Sequence, residues 1–496
     1  MKGGAIGLML LKRLVCFLIA LLLVSGTFPA FAESAESTYV EPTLSSDAQP
    51  YDEEHPENLD ADQLIAHSAI LIEASSGQVI FEKNPDEPMY PASTTKILTT
   101  LLGIMMTDES EMNQTVLVSD EAMNIAADSS TMGLSAGEEI NFTDLLFGTM
   151  LLSANEGANV IAEAVSGDIQ SFVDLMNETA AIFGCTNTHF ANPHGYHDVN
   201  HFTTARDMAI IAREAMQNDQ FRAIANTTQY QLARTNLQRA RTIRSKHEIQ
   251  LPGTEESPNK YFYPYATGIK TGFHSAAANC FVGSAERDGV ELISVVFYTS
   301  RRGRWTDTKK LFEYGFSQYV SVTPIDLYNM NPITLETNNY SLDDVSMGKL
   351  RLTCVPTDGT RTARITATQD DVDLMAKNLK QTVLIEYTRD FAAPIEAGEI
   401  MGVMTYFPED DEPVEYNLIA SRSIRRRENA PLTLEEILAL VENDPNPFPP
   451  ITLELILTLC WPLIALWILL RVLKRVFHRR RVRNARVPKP KSRYLK

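Results

Sequence analysis

Pro91-Ala92-Ser93-Thr94-Thr95-Lys96-Ile97-Leu98 is the stretch that decides how this chain is read. Pro91 and Ala92 break off the segment before it. From Ser93 onward, apolar residues at Ile97, Leu98, Leu101, Leu102 and Met105 recur at helical spacing. The spacing predicts a helix starting at Ser93 with the serine in its first turn. There the free N–H groups and the positive end of the dipole favour a developing anion. Residues three apart share a face, so the Lys96 amine can reach the Ser93 hydroxyl. A serine becomes a nucleophile when a neighbouring base takes its proton, and a lysine is that base only if burial or a second cation makes it neutral. The stretch therefore proposes a Ser-Lys pair. The bland alternative is an N-cap serine followed by an exposed lysine. S-x-x-K also occurs at Ser257–Lys260 and Ser346–Lys349, so the pattern alone does not decide.

Working outward, strand and helix signals alternate around this stretch. Ala69–Ile72 and Val79–Phe81 flank Ser75-Ser76-Gly77-Gln78 as a hairpin. Thr143 to Val165 reads as helical, interrupted near Ser153-Ala154-Asn155. Ser171–Phe183, closed by Gly184, and Thr204–Met216 are further helices. His194-Gly195-Tyr196-His197-Asp198 is a turn-rich loop. Val290–Phe297 reads as a buried strand and Thr306–Phe316 as a helix. This mixture predicts an α+β domain over residues 63–320. Beyond it, short β-like runs divided by Gly, Asp, Asn and Pro predict a small β-rich domain over 321–424. Residues 33–62 are acidic and aperiodic, a linker; residues 425–450 are a spacer with a Pro-rich end.

The two ends of the 496-residue chain are unlike its middle. Lys12 and Arg13 precede an apolar run from Leu14 to Val24 and then Ala30-Phe31-Ala32, the pattern of a secretory signal over residues 1–32, with a signal anchor as the alternative. Ile451–Leu470 is a mostly apolar run of 20 residues, with Glu454 and Pro462 inside it. At 1.5 Å rise such a run spans about 30 Å, the thickness of a bilayer core, so a transmembrane helix is expected; an interfacial helix is the rival. The tail 471–496 carries 12 Lys or Arg and no acid, which places it in the cytoplasm and the body outside the cell membrane, single-pass. Between the two ends, residues 33–450 hold 29 bases against 62 acids, a formal charge of −33. A surface of that sign excludes non-specific binding of nucleic acid. Of five cysteines, Cys16 lies in the signal and Cys460 in the apolar run, leaving Cys185, Cys280 and Cys354 as an odd number at wide spacing, against a disulfide framework.

Two further motifs follow the Ser-Lys pair in order. Ser153-Ala154-Asn155 sits in the break between two apolar helices, where a loop can project polar groups inward. Lys270-Thr271-Gly272 stands in a strand, its glycine permitting close approach of a ligand backbone. Each alone is weak. In the order S-x-x-K, S-x-N, K-T-G with gaps of 60 and 117 residues they form a strong signal.

On these motifs the chain resembles the serine D-Ala-D-Ala carboxypeptidases, the penicillin-binding proteins of low molecular mass. Ser68-Ala69-Ile70-Leu71-Ile72-Glu73-Ala74, His194-Gly195 and Thr204-Ala205-Arg206-Asp207 support the likeness, which runs from Ser68 to Val320. The resemblance implies an antiparallel sheet flanked by helices, with a helical subdomain and the site between the two. It implies a hydrolase of peptidoglycan stem peptides that serves cell-wall biosynthesis and cell shape. β-Lactam antibiotics would be its inhibitors, and it would need no cofactor and no metal. It makes Ser93 the nucleophile, Lys96 its base and Ser153 the proton relay, with Asn155 holding the substrate amide. Lys270, Thr271 and Arg304 would bind the terminal carboxylate, and the N–H groups of Ser93 and Phe273 would form the oxyanion hole beside Gly272. His194, His197 and His201 could suggest zinc, but no H-E-x-x-H or Cys-His cluster accompanies them, and His274 reads as a neighbour of the site wall. A class A-like β-lactamase shares the three motifs, but no E-x-x-L-N follows S-x-N here. A catalytically inactive sensor of cell-wall peptides is the reading from a different class.

Overall fold

The computed structural model describes residues 48–357, 363–408 and 412–428, with isolated helical positions between 438 and 474. The signal run at 1–32 lies outside the described residues, and so does most of Ile451–Leu470. Among the described residues, no helix is long and apolar enough to cross a membrane. The chain divides into two compact units, 1–327 with 362–379, and 328–361 with 380–496.

The first unit is built on a five-stranded antiparallel sheet. Its strands are β1 (Ser68–Glu73), β2 (Val79–Lys83), β3 (Ala266–His274), β4 (Ala278–Arg287) and β5 (Val290–Thr299), in the order β2-β1-β5-β4-β3. All six residues of β1 are buried, because the sheet is covered on both faces. Successive side chains alternate between those faces. Ile70 and Ile72 of β1, with Ile293, Val295 and Phe297 of β5, join the core beneath the helices that follow β2. Ala69 and Leu71, with Leu292 and Val296, join the opposite core against Trp305, Leu311 and Phe312.

The helices on the first face are α1 (Lys96–Met106), α2 (Phe142–Leu152), α3 (Asn155–Ser166), α4 (Ile169–Ile182), α5 (Ala205–Met216) and α6 (Asp219–Asn226); α7 (Gly303–Gln318) covers the other. The expected helix at Ser93 is corrected in its start. Ser93 lies on a 3-10 turn, Ala92–Thr95, and the α-helix begins at Lys96. Nor does α1 have a single apolar stripe: Lys96 to Ile104 are all buried, and Met105, counted with the apolar face, is exposed. A helix at the centre of a bundle is enclosed on every side, so Thr99 and Thr100 are buried as fully as Leu101.

The stretch 33–62 is not a free linker throughout. Residues 56–58 and 61–63 form 3-10 turns, Leu59 and Leu64 are buried, and the Lys310 amine of α7 donates to the Gln63 carbonyl at 2.5 Å. Acidic composition hid two leucines that suffice to seat the segment. The β-like run at Thr362–Thr368 likewise belongs with the first unit: Ile365–Thr368 pairs antiparallel with Tyr319–Val322, and a helix, Gln369–Lys377, follows it. The second unit holds its own five-stranded antiparallel sheet, built from Thr334–Glu336, Lys349–Pro356, Val383–Tyr387, Ile400–Tyr406 and Val414–Ala420. Cys185, Cys280 and Cys354 are free and buried.

Candidate active site

The site forms where the 3-10 turn, the α2–α3 break and the edge strand β3 converge. Ala92 has φ +48°, a conformation that residues with a Cβ rarely adopt, and it kinks the chain just before Ser93. Three side-chain bonds hold that kink. Thr94 Oγ1 donates to the Pro91 carbonyl and Thr95 Oγ1 to the Ala92 carbonyl, both at 2.8 Å. Thr95 Oγ1 also meets His201 Nε2 at 2.8 Å, and His201 Nδ1 accepts from the Ala191 N–H at 3.0 Å. With Nδ1 accepting, the ring proton is on Nε2, so the chain of donors runs His201 to Thr95 to Ala92. Gly195 closes the turn from outside. Its φ is +81°, and a Cβ there would run into the Ala92 carbonyl, so Gly195 is part of the site's frame.

Lys96 is fully buried, and its Nζ reaches three oxygens: Ser93 Oγ at 3.1 Å, Asn155 Oδ1 at 2.7 Å and the His194 carbonyl at 2.6 Å. A protonated amine donates to all three. A neutral amine has two protons and one lone pair, and of the three partners only the serine hydroxyl can donate in return. Deprotonation of Lys96 therefore aims its lone pair at Ser93. Burial pushes the Lys96 pKa well below its ordinary 10.5, and the neighbouring Lys270 pushes it the same way, against Glu156.

Ser153 is the residue that ends α2, with φ +62°, and α3 restarts at Asn155. The break turns both side chains toward the cleft. Asn155 is held by its backbone N–H to the Ser130 carbonyl (2.8 Å) and by its amide to Ser129 Oγ (3.0 Å). Glu156, also buried, accepts from the Met132 and Gly133 N–H groups at 2.7 and 3.1 Å, so the first turn of α3 anchors the whole loop.

On β3, Lys270 and Gly272 are two apart and share a face. The reading of Gly272 changes here: a Cβ would lie 2.7 Å from the Pro91 carbonyl and 3.2 Å from Ala92 Cβ, so its bareness lets the strand approach the serine turn itself. Lys270 is 1% exposed, its amine donating to the Thr271 carbonyl at 3.3 Å. Burial, then Lys246 and Arg304, bring its pKa down to about 7. Thr271, Phe273 and Arg304 line the same open cleft of about 540 Å³ as Ser93, Ser153 and Asn155. Phe273 is 66% exposed at its rim. Arg304 lays its guanidinium 4.5 Å over the Trp305 ring, and burial holds its pKa below the usual value.

Sequence reasoning missed Lys246, Ser129, Ser130 and Asp128, which also line the cleft. None stands in a motif, and nothing local marks them. Asp128 accepts from the Tyr196 hydroxyl at 3.0 Å, tying two rim loops together. His274 lines the cleft as expected. Among the described residues, no group of three His, Cys, Asp or Glu side chains is placed to hold a metal ion.

A serine beside a buried lysine, with a second lysine on a facing strand edge, defines a serine acyl-transfer enzyme. Residues 54–300 match the family described as D-alanyl-D-alanine carboxypeptidase, peptidase S11. The D-alanyl-D-alanine carboxypeptidase DacF of Bacillus subtilis is 27% identical over 364 residues, covering 73% of this chain and 86% of the relative. DacB2 of Mycobacterium tuberculosis is 31% identical over 258 residues, 51% of this chain and 82% of its own. The solved Streptomyces K15 DD-transpeptidase aligns with 51% of this chain and 98% of its own at 27% identity and a TM-score of 0.47. The chain belongs to the D-alanyl-D-alanine carboxypeptidase family.

Proposed function

We propose that this chain removes the terminal D-alanine from peptidoglycan pentapeptide stems through an acyl-enzyme on Ser93. The observation that carries the reading is the set of partners around the Lys96 amine: one hydroxyl that can give up a proton and two carbonyls that cannot. Neutral Lys96 takes the Ser93 proton as Oγ attacks the carbonyl carbon of the penultimate D-alanine. The N–H groups of Ser93 and Phe273 receive the oxyanion, an interaction whose loss costs about 3–4 kcal/mol in comparable chemistry. Lys96 then passes the proton by way of Ser153 to the leaving nitrogen, and the C–N bond breaks. Water, deprotonated by Lys96, hydrolyses the ester. Asn155 aligns the substrate amide. Lys270, Thr271 and Arg304 take the free carboxylate, which favours the charged form of Lys270 as it binds.

Mass spectrometry of a model pentapeptide tests this: D-alanine is released by the native chain and not by Ser93→Ala. Benzylpenicillin should leave a lasting adduct on Ser93. Rapid turnover with no surviving adduct would favour a β-lactamase instead, and absence of both reactions an inactive peptide sensor.

Cell-wall action by the family supports a catalytic unit outside the cytoplasm. We further propose that Ile451–Leu470 anchors it to the membrane with the basic tail inside, supported by the apolar run and the 12 bases that follow. Release of the chain from membranes by alkaline carbonate, without detergent, would count against a spanning anchor.

A further inference from the structure

A second cavity, of about 790 Å³, opens between the N-terminal segment at Tyr51, the loop Lys260–Pro264 and the outer side of α7. Arg302, just before the helix, and Thr306, Lys309, Lys310 and Glu313 along it line this side, at spacings that share one face. Arg304 is two residues along from Arg302, a turn of about 200° at 3.6 residues per turn, and so reaches the catalytic cleft from the other side of the same helix.

The chemistry of this groove is opposite to that of the chain. On a protein of net charge −19, its wall gathers four cations against Glu53 and Glu313. Glu313 is already taken by Arg287 at 3.0 Å, and Lys310 by the Gln63 carbonyl. Lys260, Arg302 and Lys309 meet no acid at ion-pairing distance among the described residues. Aromatic rings stand between these charges: the Lys260 amine is 5.1 Å from the Tyr261 ring centre and the Lys310 amine 5.4 Å from that of Tyr51. The hydroxyls of Tyr51 and Tyr263 are shut off from solvent and find no partner at hydrogen-bonding geometry among the described residues. Glu313 does stand near enough to Tyr263 to help burial push its pKa up. Cations with no acid beside ring faces match a ligand with anionic groups and C–H faces.

We propose that this groove binds an anionic saccharide: sugar faces on the tyrosine rings, carboxylates on Lys260, Arg302 and Lys309. It would hold a peptide-free muramyl stretch of the glycan, whose lactyl carboxylates are free, while the cleft works on a neighbouring stem peptide. The inference rests on the proposed function only in choosing a cell-wall polymer.

The test is calorimetric titration of the full chain with three probes: peptide-free muramyl glycan fragments, glycerol-phosphate oligomers and neutral chitotetraose. We expect the muramyl fragments to bind at least tenfold tighter than chitotetraose and more weakly as salt rises; binding of glycerol-phosphate oligomers alone would overturn the glycan assignment. Lys260→Glu with Lys309→Glu should weaken that binding at least tenfold, and Tyr261→Ala should weaken it without changing charge. Penicillin acylation of Ser93, read in parallel, should be unchanged in these variants, which checks folding and keeps the catalytic reading separate. Anionic probes bound no better than chitotetraose, or bound equally by the acylation-competent variants, would overturn the proposal.

Discussion

The Lys96 amine and the Asn155 side-chain oxygen are 2.7 Å apart, deep in the first unit, so the S-x-x-K and S-x-N motifs are joined by a hydrogen bond between buried groups. That bond fixes the orientation of Asn155, whose amide must then donate to Ser129. It also takes one of the lysine's protons and leaves the lone pair of the neutral amine for Ser93.

Replacing Lys96 with methionine keeps most of the buried volume and removes the base. We expect acylation by benzylpenicillin to slow by roughly 10²–10⁴-fold, the usual contribution of a positioned general base. Stability should also fall, because Asn155 Oδ1 and the His194 carbonyl lose their donor at about 1–3 kcal/mol each, partly offset by removing a buried amine. Stopped-flow acylation and urea unfolding check the two arms.

The pH profile follows from the two lysines. In the proposed mechanism Lys96 works neutral, so activity should rise with pH as it loses its proton, well below 10.5. The same proposal has Lys270 working charged, so kcat/KM should fall as pH rises through about 7, where burial and neighbouring cations bring it. Lys270→Arg keeps its charge to far higher pH. Its activity should be lower, and the falling limb near pH 7 should vanish. A falling limb unchanged in that variant would mean that another group sets it.

Gly272→Ala would push β3 away from Pro91 and Ala92. Overpacking of this kind costs about 1–3 kcal/mol, and a displacement near 1 Å can lower a rate about 10²-fold. Acylation should therefore drop far more than the melting temperature suggests. Equal retention of rate and stability would show that the strand's close approach is dispensable.

Buried histidines make the first unit sensitive to acid. His194, His201 and His247 are held neutral chiefly by burial, with Lys96 also acting on His194, His194 on His201 and Lys270 on His247; His194 and His247 are brought down to about 3. Each folded pKa lies below the unfolded value near 6.5, so the unfolded chain binds more protons below that pH. The histidines' contribution should be flat above 6.5 and fall below it, by about 1.4 kcal/mol per pH unit for each histidine, while Lys96 and Lys270, held below 10.5, add a rise in stability toward alkaline pH. Urea midpoints at pH 7 and pH 5 measure the loss, to which His274, brought down to about 4, also contributes, and His247→Gln should reduce it by one histidine's share.

His201→Phe removes the donor to Thr95 and with it one hold on the strained Ala92. Leaving a buried polar group unmet costs about 1–3 kcal/mol. We expect slower acylation with KM for the pentapeptide little changed, since His201 bonds to Thr95 and Ala191 behind the serine turn.

Much of the fold was legible where periodicity is strong. The hairpin β1–β2, the break at Ser153 between two apolar helices and the strand Val290–Thr299 follow from runs whose neighbours agree. Ala278–Arg287 was missed because Asn279, Gly283 and Ser284 dilute its apolar pattern. Val414–Ala420 alternates buried and less buried residues and carries a signal that went unread. Asp219–Asn226 is a short helix whose burial rests on Phe221, Ile224 and Ala225, too few to announce it.

The sequence by itself determined the chemistry available: a serine one turn before a lysine, an asparagine two residues after a second serine, and a lysine and a glycine two apart on a strand. Local spacing sets these, because helix and strand geometry fix which near neighbours share a face. Only the tertiary structure decided that the three motifs meet, that Gly272 and Gly195 are bare to admit the Pro91–Ala92 kink, and that Lys246 and His201 belong with them. Those facts depend on contacts between residues far apart in the chain. So does the lowered pKa of Lys96, since burial and a neighbouring cation belong to the folded environment.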